Sequence, residues 1–152
     1  MSLNEKIAVR IRNDNQKGLF AKADIARNEV LLTLDGPVSD HPTRFSIQLD
    51  DGKHIEGTND SNAFLNHSCD PNAYLDWEGL CLRAKRNIKA DEEITYNYMT
   101  TDYELYEPFI CNCGSPKCTG EIKGFKHLTR EEQLKLEPWL PAFLIRKLEQ
   151  TS

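Results

Sequence analysis

For most of its length the chain alternates apolar and polar residues over short runs, and only its last quarter carries a helical spacing. Ile7, Val9 and Ile11 share one face and so do Val30, Leu32 and Leu34, so residues 6–11 and 29–34 read as half-buried strands. Residues 44–49 and 54–56 flank Asp50-Asp51-Gly52-Lys53, whose Asp-Gly step supplies the positive φ angles of a tight hairpin turn. The same logic joins 73–77 to 80–84 across Glu78-Gly79, and a polar turn at 89–92 introduces a strand over 93–98. Beyond Gly124 the pattern changes. Thr129-Arg130-Glu131-Glu132 has capping-box spacing for a helix reaching about Leu136, which Pro138 ends. Pro141 then opens a last helix with Leu144 and Leu148 on one face. No internal repeat, low-complexity tract or flexible linker interrupts the 152 residues, a length suited to one core.

Composition narrows the classes of function. A net charge of -5 does not suit a phosphate backbone, which needs clustered Lys and Arg to release counterions, so no direct nucleic-acid partner is expected. Asp50, Asp51, Glu56 and Asp60 form one acidic group, and Asp102, Glu104 and Glu107 another. Both read either as solvated faces or as an attraction for a basic partner. No run approaches roughly 18 apolar residues and the N-terminus carries no apolar signal core, so a soluble, intracellular protein without a membrane partner is expected. In that compartment the five cysteines are reduced thiols or metal ligands rather than disulfides.

Three of those thiols, Cys111, Cys113 and Cys118, fall within eight positions, with Gly114 and Pro116 able to bend the backbone around a centre. Tetrahedral structural zinc needs a fourth ligand, and Cys69, Cys81, His67 and His127 are the candidates. Leu80-Cys81-Leu82 reads as strand packing. Cys69 is better placed, in the polar turn Asn66-His67-Ser68-Cys69-Asp70-Pro71-Asn72, from which a side chain can meet an incoming segment.

Three blocks, in order, resemble the SET-domain protein lysine methyltransferases. They are Lys17-Gly18-Leu19-Phe20-Ala21-Lys22-Ala23-Asp24-Ile25, then Phe64-Leu65-Asn66-His67-Ser68-Cys69-Asp70-Pro71-Asn72, then Glu92-Glu93-Ile94-Thr95-Tyr96-Asn97-Tyr98 followed by the cysteines, which look like the family's post-SET zinc motif. The resemblance implies a compact stand-alone domain, mainly β, with small curved sheets, a knot-like crossing of the Asn66-His67 and Tyr98 segments, and short C-terminal helices. It divides the chain into a SET domain over 1–110, a post-SET zinc-binding segment over 111–126 and a helical extension over 127–152, together one structural unit. Gln16, Asp91 and Asn97 depart from the family, which commonly has Gly, Gly and Asp there.

The resemblance further implies S-adenosyl-L-methionine as methyl donor, one structural zinc ion held by Cys69, Cys111, Cys113 and Cys118, and a protein substrate offering an accessible lysine, such as a histone tail. Backbone at Lys17, Gly18, Leu19 and Phe20 would cradle the donor, Asn66 and His67 would bind it, and Tyr98 would be the catalytic tyrosine in contact with it. Ile122 or Phe125 would back the adenine, the spacing leaving open which. Tyr96 would govern how many methyl groups fit, its hydroxyl favouring mono- or dimethylation. The attacking amine must be neutral although free lysine titrates near about 10.4. A dry channel beside a cationic donor disfavours the ammonium, so no strong protein base is required. The rival reading is a catalytically silent SET-like zinc module that binds a basic protein tail. Neither the substrate protein, the choice between nucleus and cytoplasm, nor the oligomeric state is legible.

Overall fold

The computed structural model describes residues 3–57 and 64–150; Asp60 lies outside them. Short antiparallel pairs dominate. Strand β1 (Ile7–Ile11) pairs with β2 (Lys17–Ala21) through a turn in which Asn15 takes a φ of 67°, a left-handed conformation that Asn tolerates. The strand β10 (Glu93–Tyr96) lies on the other edge of β2, and β7 (Asn66–His67) pairs with β10 in parallel. The two segments expected to cross are thus immediate neighbours. The sheet β3 (Val30–Thr33), β9 (Cys81–Ala84), β8 (Ala73–Asp76) packs beside it, and β4 (Val38–Ser39), β6 (Lys53–Glu56) and β5 (Ser46–Asp50) form a third sheet. A two-residue pair, β11 (Phe109–Ile110) with β12 (Glu121–Ile122), closes the cysteine segment. Ile7, Leu19, Leu32, Leu75, Leu82 and Ile94 fill one core, but the expected alternation fails at two places: Ile11 is 71% exposed at the end of β1, and Leu31 is as fully buried as Leu32, so β3 is covered on both faces.

Three local expectations need correction. The strand expected over 93–98 stops at Tyr96, because the Asn97 Oδ1 accepts from Met99 N at 3.0 Å and starts a 3-10 turn at Tyr98–Thr100. In the Glu78-Gly79 hairpin the left-handed residue is Leu80 (φ 48°), not the glycine, since Gly79 N donates to Asp76 Oδ1 and Leu80 O accepts from Leu34 N. In the other hairpin only Gly52 (φ 64°) has a positive φ; Asp51 does not. Asp91, where the resemblance expects Gly, does adopt φ 74°, and Arg10 holds its carboxylate at 2.9 Å.

The C-terminal helices form as their caps foretold. Thr129 Oγ1 accepts from Glu132 N and Glu132 Oε1 accepts from Thr129 N, opening α1 (Arg130–Lys135). Helix α2 (Ala142–Gln150) buries Phe143, Leu144 and Leu148 against Phe125 and Leu140. Arg146 and Lys147 of α2 meet Asp50 and Asp51 at 3.3 and 3.0 Å, so those two acids are paired across the surface rather than presented to a partner. Among the described residues no helix is long and apolar enough to cross a membrane.

Candidate functional site

Strands β7 and β10 bring the second and third sequence blocks together, and a cleft of about 700 Å³ opens beside them. Its floor is aromatic. The Tyr96 and Tyr98 rings lie 5.0 Å apart, and the Tyr98 ring meets His67 at 5.3 Å and Phe109 at 6.0 Å edge-on. Tyr98 Oη donates to Leu65 O at 2.7 Å, and burial holds that hydroxyl protonated well above the ordinary tyrosine range. Tyr98 therefore enters the site as a neutral, fixed hydroxyl, not as a base. Tyr96 is almost wholly buried, with Oη 3.5 Å from Thr101 Oγ1.

His67 joins this floor to the cysteines. Its Nδ1 accepts from Tyr98 N at 3.1 Å, which leaves the proton of the neutral ring on Nε2, 3.3 Å from Cys69 Sγ. Burial lowers its pKa to about 4, so the ring stays neutral at ordinary pH. Both ring nitrogens are engaged internally, and only the ring face and main chain are left for a ligand. Cys69, Cys111, Cys113 and Cys118 converge with their sulfurs within 4.8 Å of one another, Cys69 and Cys111 at 3.9 Å. Zinc–sulfur bonds of about 2.3 Å in a tetrahedron place sulfurs about 3.8 Å apart, so the donor set suits one zinc ion. Of the other candidates, Cys81 is buried in β9 against Asp76, and His127 faces Glu104 at 3.7 Å. The Nε2–H of His67 toward Cys69 is the outer-shell bond that commonly orients a metal ligand.

The glycine block turns its two large apolar side chains away from the cleft, while Lys17 lines it. Leu19 is fully buried in the core and Phe20 lies under Arg10, because β2 is flanked by β1 on one side and β10 on the other. Neither reaches the cleft. The residues that do are Arg12, Asp14, Asn15, Gln16 and Lys17, one turn earlier, and the polar run Asn13-Asp14-Asn15-Gln16 was the signal for them. Gly18 contributes by lacking a side chain: a Cβ there would stand 2.5 Å from Glu93 Oε2 and 3.1 Å from Asn66 Nδ2. That space lets Asn66 donate to both Lys17 O and Glu93 Oε2 at 2.9 Å. Asn72 fastens the same corner, bonding Glu93 O and Thr95 N.

Ile122 and Phe125 are also placed elsewhere. Ile122 is sealed beneath the cysteines with Met99, and Phe125 is the centre of the helical cluster. Neither has surface to offer an adenine. Leu105, Tyr106, Pro108 and Phe109 do line the cleft, but the accompanying acids are not an open groove: Glu107 pairs with Arg44 at 3.5 Å and Glu104 with Lys126 at 3.7 Å. Asp102 is not a solvated acid at all. It is 9% exposed at the edge of the cleft, Oδ1 accepts from Gln48 N at 2.8 Å, and burial pushes its pKa up to about 7.

The model of the SET domain matches residues 16–99, more than half of the chain. The chain belongs to the SET domain family. A histone-lysine N-methyltransferase, H3 lysine-36 specific, of Coccidioides immitis is 35% identical over 85% of this chain, which spans 15% of that protein. Methyltransferase flvH of Aspergillus flavus is 34% identical over 54% of the chain and 47% of its own length. The fold is that of KRYPTONITE in complex with mCHG DNA and SAH, with a TM-score of 0.65 at 19% identity, covering 80% of this chain and 30% of that one.

Proposed function

We propose that the protein transfers methyl groups from S-adenosyl-L-methionine to a lysine of a basic protein, with a histone tail as the substrate class. The observation that carries this is the meeting of Asn66, His67, Tyr96 and Tyr98 around one cleft beside a four-cysteine cluster. The H3 lysine-36 specific relative, and a KRYPTONITE structure holding an H3(1-15) peptide and SAH, support the choice of donor and substrate class. A histone substrate would make the protein nuclear.

In this reading the donor supplies a methyl carbon activated by its sulfonium. Lys17, Asn66 and the main chain of His67 hold it, next to the space Gly18 leaves open. Tyr98, its hydroxyl anchored on Leu65 O, walls and orients the reacting centre, so positioning is the main catalytic device. Tyr96 occupies the room that further methyl groups would need, which keeps the product at one or two. Cys69, Cys111, Cys113 and Cys118 hold a structural zinc, and residues 1–110, 111–126 and 127–152 serve as catalytic domain, zinc-binding segment and supporting extension of one unit.

Labelled transfer from S-adenosyl-L-methionine to core histones, with mass spectrometry of the product, tests the proposal. Wild-type transfer, its loss in Tyr98→Phe, and a shift toward higher methylation in Tyr96→Phe are expected. Donor binding without transfer to any basic protein would favour the silent binding module, and dominant trimethylation by the wild type would refute the role given to Tyr96.

A further inference from the structure

The cleft contains an acid that the mechanism above leaves idle. Asp102 follows the 3-10 turn at Tyr98–Thr100, its N–H bonded to Tyr98 O and its carbonyl to Phe125 N. Its side chain turns inward. Oδ1 accepts from Gln48 N at 2.8 Å and from Thr101 Oγ1 at 3.3 Å, and that Thr101 oxygen lies 3.5 Å from Tyr96 Oη. Oδ2 has no hydrogen-bond partner among the described residues. Among the described residues no side-chain polar atom is both sealed from solvent and unpartnered, so Oδ2 keeps some access to solvent, and Asp102 lines the same cleft as Tyr96 and Tyr98. An acid about nine-tenths buried, with one carboxylate oxygen tied down and the other unpartnered, in a cleft that two tyrosines also line, is placed to receive a cation there.

On the methyltransferase reading given above, we propose that Asp102 is a catalytic residue that binds the substrate ammonium and takes its proton. Oδ2 accepts a proton from the –NH3+ group, giving a neutral amine and a carboxylic acid. The amine nitrogen's lone pair forms the bond to the methyl carbon as the carbon–sulfur bond breaks, its electron pair leaving on the thioether sulfur. The product keeps its positive charge as a methylammonium, and Asp102 releases the proton to water.

The surroundings leave this carboxylate free to titrate with the substrate. The groups facing it are Gln48 from β5, which has no charge, and Tyr96 and Tyr98, both held neutral by burial. Lys147 of α2 is spent over the ring of Tyr103, at 4.4 Å, and on Asp51. Among the described residues no cation is paired with Asp102, and burial has already brought it to about 7, the range in which a proton acceptor works best at neutral pH.

The test compares the full chain with Asp102→Asn, which keeps an oxygen to accept from Gln48 N, across pH 6 to 10.5 with labelled S-adenosyl-L-methionine and histone H3. Wild-type kcat/KM is expected to rise tenfold per pH unit and flatten above about 7. Asp102→Asn should fall at pH 7.5 by on the order of 100-fold, lose the break near 7, and recover as the lysine deprotonates in solution. A purely structural Asp102 would lower activity evenly at all pH. An even loss, or an unchanged profile in an active, folded variant, overturns the proposal while the methyltransferase reading stands. A wild type inactive at every pH removes both. The carboxyl carbon resonance that disappears in Asp102→Asn provides an independent check: titration near neutrality is expected, and titration in the ordinary carboxylate range overturns the assignment.

Discussion

Gly18→Ala isolates the donor corner from the fold. Gly18 lies in β2 with ordinary strand backbone, so the substitution carries no φ penalty and gains the roughly 0.5–1 kcal/mol by which Ala is favoured over Gly inside a strand. The cost is steric. The new Cβ would stand 2.5 Å from Glu93 Oε2, closer than real Cβ atoms come, so the carboxylate must withdraw by at least half an ångström. That oxygen accepts from Asn66 Nδ2 at 2.9 Å, while Oε1 of the same group faces Arg12 Nε at 3.4 Å. Hydrogen bonds to charged groups are worth about 1.5–3 kcal/mol, and Glu93, 21% exposed, can replace the lost partner with water, so the lower end applies. About 1.4 kcal/mol is a tenfold change in affinity. Calorimetric binding of S-adenosylhomocysteine should therefore weaken about tenfold while the melting temperature stays within a few degrees. Binding within twofold of wild type would refute the argument that this gap positions Asn66, and a collapse in melting temperature would show that the close approach serves folding instead.

The other predictions concern stability and metal. Gly124 has φ 118° and a Cβ there would meet Tyr103 O at 2.6 Å, both backbone constraints, so Gly124→Ala should cost about 2–4 kcal/mol in denaturant unfolding, and a loss below 1 kcal/mol would contradict it. Cys69→Ser should abolish the one equivalent of zinc measured by elemental analysis and loosen residues 111–126 in hydrogen exchange, whereas Cys81→Ser should retain the metal. Asp102 has a folded pKa raised from 3.8 to about 7, so the native state holds more protons than the unfolded one between those values and stability falls as pH rises through that window. Asp102→Asn removes that loss; thermal melts should show it more stable than wild type above about pH 7, by at most about 4 kcal/mol, with the advantage gone near pH 4. A constant offset at all pH would rule this out.

What the sequence made legible was whatever a short window can carry. Alternation located most of the longer strands but not β2, where Gly18 interrupts the pattern, and Thr129-x-x-Glu132 located α1, because those signals are physical causes acting within a few residues. The two-residue strands β4, β7, β11 and β12 carry no periodicity, and only their partners, distant in sequence, define them. The cysteine cluster was legible because Cys111, Cys113 and Cys118 fall within eight positions, while its fourth member, Cys69, is brought in from 42 positions before Cys111. Ile122 and Phe125 were misplaced for the converse reason: a buried apolar residue looks the same whether it faces a ligand or a core, and here the core took both. In the glycine block the sequence marks main chain rather than side-chain contacts: Gly18 is needed for its missing side chain, and the Leu19 and Phe20 side chains do not line the cleft.

Asp102 is the instructive failure. An acid in a run with Glu104 and Glu107 is ordinarily solvated, and nothing local distinguishes it from them. Its burial is imposed by Gln48, 54 positions earlier, whose N–H binds Oδ1 and whose Oε1 accepts from Tyr103 N, drawing the segment after Tyr98 against β5. Glu104 and Glu107, lacking such an anchor, stay outside and find lysine, histidine and arginine partners. The same long-range bond that removes Asp102 from water leaves its second oxygen without a hydrogen bond among the described residues, in a cleft that Tyr96 and Tyr98 also line. A buried carboxylate with no cation partner among the described residues lowers stability at neutral pH, by an amount that Asp102→Asn would recover. That a fold of this size keeps one beside its tyrosines is accounted for by a positive charge arriving there, and a lysine ammonium brings that charge together with the proton that must leave before methyl transfer.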